Sequence, residues 1–507
     1  MIHYAVRPAP PPHGYAPQLL LPPIIADLAN YVIIPLTHQQ KAVAHLKGDI
    51  AFSYHVAADK ELLLQSLSRT LTDFPVLCGR ALKLQRADTV ELFQCVPKAK
   101  DVDNKTYLPP WAYVPLSFNA NESISTDMNG VAPNHLFDMA VNCIPSQTDA
   151  CHVSSLAKDE IASKLGDPMT RIRVSTDDSK HQMISISLNH ALVDAGSISL
   201  FMSAWSRQYQ LCRELGGAEA NKHKDVERPL VTFHHPIFDV ERKQNDEHTS
   251  IPNEWTMLLP SESAENPFVE NNANIANEAT DDVSCTVYYR SRDQIEAMKK
   301  KSLEETNQLR QQQPDGKLGI RVPPYLSSND ALLGEVCKQL EATSVLLCMD
   351  WRPVLNRSVF FGYAVLFLYL DLPCSSSAPA ACRNILGWND SNRGEGCTSI
   401  VRDASFVMWK MQNENKQGRT DLIWNSWTDF FTLCGQDQCN ESCRENAAME
   451  CCPYDMLMSE QMCRARVDVA RRGLAYAIVF PQANRSVRVY FFGHSTIGRS
   501  LDAVEDC

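Results

Sequence analysis

Four histidines in the chain are followed, four residues on, by an aspartate: His45 and Asp49, His55 and Asp59, His190 and Asp194, His235 and Asp239. An imidazole with an ordinary pKa of about 6.5 can take a proton from a hydroxyl or amine near neutral pH. A carboxylate on the next turn can hold that ring in place, through a cation or through backbone amides. With 14 histidines in the chain, roughly one such spacing arises by chance, so the pattern alone selects none of the four. Context does. His45 sits in a polar stretch, Asp59 is placed to cap the helix that follows His55, and His235 lies beside His234 in a polar segment. Only His190 ends an apolar alternating strand and is followed by small residues, Ala195, Gly196 and Ser197, that let a ligand approach the backbone.

The elements that must position His190 are legible around it. In "MISISLNH", Ile184, Ile186 and Leu188 share one face of a predicted strand, and His190 falls on their parity. From Ser197, a predicted N-cap, residues Ile198, Phe201, Ala204, Trp205, Tyr209 and Cys212 recur at helical spacing. Upstream, "DKELLLQSLSRTLTDF" predicts a helix and "PVLCGRALKL" a turn into a strand through Gly79. From about 213 to 282 the chain is polar and poor in aromatics, the composition of a linker or crossover. A second half then opens with a strand and a capped helix at "CTVYYRSRDQIEAMKKK". It continues through a helix at "SSNDALLGEVCKQLEA", strands at "VLLCMDWRP", "VFFGYAVLFLYL" and "TDLIWNSWT", and two final strands joined by a short turn. The organisation predicted is two α/β halves: residues 1–212, a crossover over 213–282, and residues 283–507.

At 507 residues the chain exceeds one ordinary core. Its formal charge of -12 argues against nucleic acid, which needs clustered Lys and Arg. The short basic run at 298–301 reads as a solvated helix face. The proline-rich opening has no apolar stretch of signal length, and the most apolar segment, from Ser358, is broken by Asp371 and too short to span a bilayer. A cytoplasmic protein is therefore expected. Of 18 cysteines, six fall between Cys434 and Cys463, without a C-x-x-C pair or the gaps of a zinc ribbon. No metal site is predicted; unpaired thiols in a loop-rich insertion are expected there, with metal binding or disulfides as the alternatives.

Residues 185–205 resemble the signature of the BAHD acyltransferases, an acyl-CoA-dependent family in the chloramphenicol acetyltransferase-like superfamily. Further stretches are similar in the family's order: "IPLTHQQ" at 34–40, the helix and Gly79-Arg80 turn at 63–81, "SSNDALLGEV" at 327–336, "MDWRP" and "VFFG" within 349–362, and "WNSWT" at 424–428. The resemblance implies two chloramphenicol acetyltransferase-like α/β domains, mixed sheets with flanking helices, joined by a crossover with a channel between them. It implies a monomeric transferase of secondary metabolism, with acyl-CoA as co-substrate, a small-molecule alcohol or amine as acceptor, and no permanently bound cofactor. His190 would be the base, Asp194 would pair with Arg352 of the "MDWRP" segment as structural support, and Ser426 and Trp427 would line the channel wall.

Two departures stand out. Ala195 intervenes between Asp194 and Gly196, where the family usually has glycine directly. The family's Asp-Phe-Gly-Trp-Gly loop is missing: Asp437 stands near its place, but "QCNE" follows. That loss supports an alternative expectation, a non-catalytic ligand-binding or interaction protein of the same fold.

Overall fold

The computed structural model describes residues 1–9, 26–215, 282–312, 325–386, 400–401, 421–430 and 453–502, with short gaps inside several stretches, 353–360 being the longest. These residues fall into two compact units. One is drawn from Met1–Asn245, Leu355–Ala364 and Gln436–Glu460, the other from Asp246–Val354, Val365–Gly435 and Gln461–Cys507. Most of the polar crossover, residues 216–281, lies outside the described residues, as do Cys434, Cys439, Cys443, Cys451, Cys452 and the Asp437 segment.

Strand Gln182–Asn189 sits inside the first unit's six-stranded mixed sheet, whose order is Ile2–Val6, Val114–Ala120, Thr170–Thr176, Gln182–Asn189, Lys47–Tyr54 and Asp455–Met458. Ile186 lies across from Ile172 on one neighbour and Ile50 on the other. The alternation that puts Ile184, Ile186 and Leu188 on one face is present, yet every residue of the strand is buried. Met183, on the opposite face, packs with Ala51, Leu136, Phe137 and Leu457. Both faces are covered, so the strand end is fixed on all sides. Each fully buried Ile or Leu contributes about 1.5–3 kcal/mol. A second, five-stranded sheet carries its own cluster of Tyr31, Ile33, Leu82, Leu84, Phe93, Cys95 and Ile161.

Two helices pack together in this unit, Lys60–Asp73 and Ala195–Leu215. Leu63, Leu67 and Leu71 form the buried stripe of the first, and Asp59 caps it by accepting from Leu62 N at 2.9 Å. The indole of Trp205 donates to Ser66 Oγ (3.0 Å), and Arg69 Nε donates to Gln208 Oε1 (2.9 Å). The first helix leads through a 3-10 turn, Pro75–Cys78, to strand Arg80–Arg86. Gly79 is required there because a Cβ would stand 2.8 Å from Val76 O. Arg80 is buried, and its guanidinium donates to the carbonyls of Cys78, Gly79 and Tyr113.

The second unit is a seven-stranded mixed sheet in the order Val283–Arg290, Val487–His494, Leu474–Pro481, Asp421–Ser426, Ser344–Asp350, Val365–Asp371 and Ile400–Val401. Asp421–Ser426 runs parallel to both its neighbours. Helix Arg292–Gln312 is capped by Ser291, which exchanges hydrogen bonds with Gln294. Helix Ser328–Leu340 has a full capping box between Ser327 and Asp330. Lys300 and Lys301 are exposed, as expected of a solvated face. The strand expected across "VFFGYAVLFLYL" starts only at Val365. Residues 361–364 are irregular because their backbone groups are bound elsewhere, by the helix that follows His190. Among the described residues, no helix is long and apolar enough to cross a membrane.

Candidate functional site

The turn after strand Gln182–Asn189 is built from its own polar groups. Asn189 opens it: its carbonyl accepts from Leu192 N (3.1 Å), and its Oδ1 accepts from Ala191 N (2.9 Å). This is the side-chain turn that makes Asn a favoured turn residue. Asn189 Nδ2 reaches away to Ala44 O at 2.6 Å.

His190 follows, half-buried, with its Nδ1 2.9 Å from Val193 O. A carbonyl oxygen only accepts, so Nδ1 carries the hydrogen and the neutral ring keeps its lone pair on Nε2. The ring meets Tyr363 edge to face, with centroids 5.4 Å apart and planes at 79°. That contact contributes about 0.5–1.5 kcal/mol beyond burial and orients the imidazole.

Asp194 closes the turn and starts helix Ala195–Leu215. Its Oδ1 accepts from Ser197 N (2.9 Å), and its carbonyl accepts from Ile198 N (3.0 Å). Asp194 is therefore the N-cap, and the sequence-based expectation of a cap at Ser197 is corrected. A carboxylate at 194 reaches the third helical amide and lies at the positive end of the helix dipole, so the helix begins before Ser197.

Freed from capping, the Ser197 hydroxyl donates to Gly362 O and accepts from Gly362 N, both at 2.9 Å. Asp194 Oδ2 accepts from Ala364 N at 2.7 Å. Backbone amides thus order the Asp194 carboxylate, one of the two routes considered from sequence. Segment Phe361–Ala364 is held on the first turn of the helix, with Phe361 5.0 Å from the Phe74 ring. Gly362 has φ of 152°, a backbone that residues with a Cβ adopt only under strain.

The other three candidates belong to the second unit. Arg352 is buried and pairs with Asp350, Nη1 to Oδ1 at 2.8 Å. Ser426, at the end of its strand, is half-buried with Oγ 3.0 Å from Thr428 Oγ1. Trp427 is buried against Phe480, and its Nε1 donates to Asn425 Oδ1 (3.0 Å). Within the same unit, Tyr476 stands over the Arg466 side and its hydroxyl accepts from Asn425 Nδ2 at 3.4 Å; burial pushes that phenol up to about 12.

Of the competing histidine–aspartate pairs, Asp59 is the helix cap already described, while His45, His235 and Asp239 lie outside the described residues. Four contributors were not singled out from sequence as site residues: Asn189, Gln40, whose Nε2 donates to Ala191 O at 2.9 Å, Gly362 and Tyr363. Gln40 and Gly362 lie in the stretches "IPLTHQQ" and "VFFG" that carried the resemblance, and Asn189 is a turn-forming residue directly before the histidine.

No protein-family model matches the sequence, and no curated protein matches it. Its fold does match solved structures, and it is that of the two-domain, chloramphenicol acetyltransferase-like acyltransferases. Among them is vinorine synthase, with TM-score 0.50 and 12% identity over 99% of this chain and 95% of that one. TRI101 of F. sporotrichioides, complexed with Coenzyme A and T-2, gives TM-score 0.51 and 11% identity over 93% and 97%. Apo TRI101 of F. graminearum gives 0.52 and 11% over 94% and 97%. These are BAHD acyltransferases, so the resemblance read from short motifs holds at the level of the fold, at the low identity of a divergent chain.

Proposed function

We propose that this chain transfers an acyl group from acyl-CoA to a hydroxyl or amine of a small-molecule acceptor, with His190 as general base. The observation that carries the reading is the hydrogen bond from His190 Nδ1 to Val193 O, which leaves Nε2 as the basic nitrogen of a ring held at a tightly bonded strand–helix turn. The shared fold adds support, because one of the matching proteins was solved in complex with Coenzyme A and T-2.

In this mechanism His190 Nε2 takes the proton from the acceptor as its oxygen or nitrogen attacks the thioester carbonyl carbon. The tetrahedral intermediate collapses and the carbon–sulfur bond breaks. The departing thiolate takes the proton back from the imidazolium. No acyl-enzyme forms, so no cysteine has to act as nucleophile. Asp194 is a positioning residue: it holds the turn and, in this proposal, faces Arg352. Ser426 and Trp427 are proposed to line the path of the substrates.

The test is free-thiol release from acetyl-, malonyl- and aromatic acyl-CoAs, each offered with a panel of alcohols and amines. On a productive pair, His190→Ala should lower kcat by at least about 100-fold and up to about 10,000-fold, the range of general-base catalysis. Near wild-type turnover by that variant would overturn the assignment.

A further inference from the structure

We propose that Asn189 and Gln40 are positioning residues that grip the two peptide groups flanking Ala191 and so fix the ring of His190. The inference deepens the general-base reading and rests on it for its catalytic consequence.

Ala191 has two neighbouring peptide planes. The one that joins it to His190 presents the Ala191 N–H, and Asn189 Oδ1 accepts from it at 2.9 Å. The one that joins it to Leu192 presents the Ala191 carbonyl, which accepts from Gln40 Nε2 at 2.9 Å. With both planes held, the soft backbone dihedrals between them are fixed, including the one that swings His190 away from Val193. Val193 O can meet Nδ1 only while that turn keeps its shape.

Asn189 is in turn fixed at both ends. Its Nδ2 donates to Ala44 O at 2.6 Å and its backbone N donates to Met169 O at 2.8 Å. The methyl group of Ala191 is fully buried in a cluster with Leu36 and Ala44. Of the three anchors, Leu36 and Gln40 belong to the "IPLTHQQ" segment and Ala44 lies four residues beyond its end, which gives that early motif a physical role. Leu36, Gln40 and Ala44 back the turn that carries the base.

The roles are separable from bulk stability because they act on one observable, the position of the hydrogen on the His190 ring. Histidine free of such a bond favours the hydrogen on Nε2, which would remove the lone pair that the reaction needs.

The experiment uses the full chain labelled with ¹⁵N-histidine, with the His190 signal assigned by its loss in His190→Ala. In wild type, the neutral ring should show the Nδ1–H form. Asn189→Ala and Gln40→Leu should both move it toward the Nε2–H form while circular dichroism stays native. Asn189→Asp keeps the acceptor for the Ala191 amide and should hold the Nδ1–H form better than Asn189→Ala. If Asn189→Ala does not fold, Gln40→Leu, which removes the donor to Ala191 O from a half-buried site, decides the matter. An unchanged Nδ1–H signal in the folded variants overturns the inference.

With acetyl-CoA and a productive acceptor, the same variants should lose about 100-fold in kcat, the scale of a misplaced catalytic group, with KM for acetyl-CoA within about threefold. Should wild type transfer from none of the acyl-CoAs tried, the transferase reading falls, and the ring signal still decides whether Asn189 and Gln40 position His190.

Discussion

Replacing Asp194 with alanine tests the frame that holds the base. Two backbone amides lose their acceptor at once: Ser197 N, 2.9 Å from Oδ1, and Ala364 N, 2.7 Å from Oδ2. Loss of an N-cap costs about 1 kcal/mol. An amide left unpaired in a buried site costs about 1–3 kcal/mol more, and Asp194 is only 3% exposed. The sum is about 2–4 kcal/mol, which lowers the melting temperature of a unit this size by about 5–15 °C. Asp194→Ser separates the two effects. A serine hydroxyl can still cap Ser197 but cannot reach Ala364 as well, so it should recover about 1 kcal/mol of the loss. Thermal denaturation followed by circular dichroism, with urea titrations as a second measure, reads both. A shift below about 2 °C in Asp194→Ala, or a serine variant no better than alanine, would refute the reasoning. The same variants crossed with Arg352→Lys test the proposed pairing: a coupling of about 0.5–3 kcal/mol supports it, and strict additivity removes it.

Two further outcomes follow from other parts of the structure. Burial alone would raise the pKa of Glu122, but hydrogen bonds from Ser175 and Asn119 and the Arg173 guanidinium, 2.6 Å away, outweigh it and hold the carboxyl below its ordinary 4.5. A depressed folded value means stability that is fully present above 4.5 and lost as the pH falls through the lower folded value. Acid titrations of melting temperature should therefore fall less steeply in Glu122→Gln than in wild type between about pH 5 and about pH 3. In the second unit, Gly334 faces Pro379 across two helices, and a Cβ there would stand 2.3 Å from Pro379 Cγ. Gly334→Ala should cost about 1–3 kcal/mol by overpacking, measured as a drop in urea midpoint.

The motif strand and helix were readable because their signals are local. Ile184, Ile186 and Leu188 alternate, the apolar residues after Asp194 recur at helical spacing, and Asp59 stands where a cap belongs. The N-cap was misread because Ser197 and Asp194 both carry capping side chains within one turn, and only the bonds made by Ser197 to Gly362 show which one is engaged. The strand expected from Val359 was shortened for the same reason. A run of apolar residues reports that a segment is buried, whereas the capture of Gly362 and Ala364 by the helix decides that it leaves the sheet.

From the amino-acid order alone came the expectation that His190, among four look-alike pairs, is the functional one, the α/β class of the chain, and a likeness that holds at the level of the fold. Those depend on periodicity and on neighbours a few residues apart. The surroundings of the imidazole were decided by the folded chain. Its Nδ1 stands 2.9 Å from Val193 O, and its ring faces Tyr363, which returns from far along the sequence. Such contacts leave no trace in local spacing, since what fixes them is the packing of segments more than 150 residues apart, as between Ser197 and Gly362 or Gln40 and Ala191.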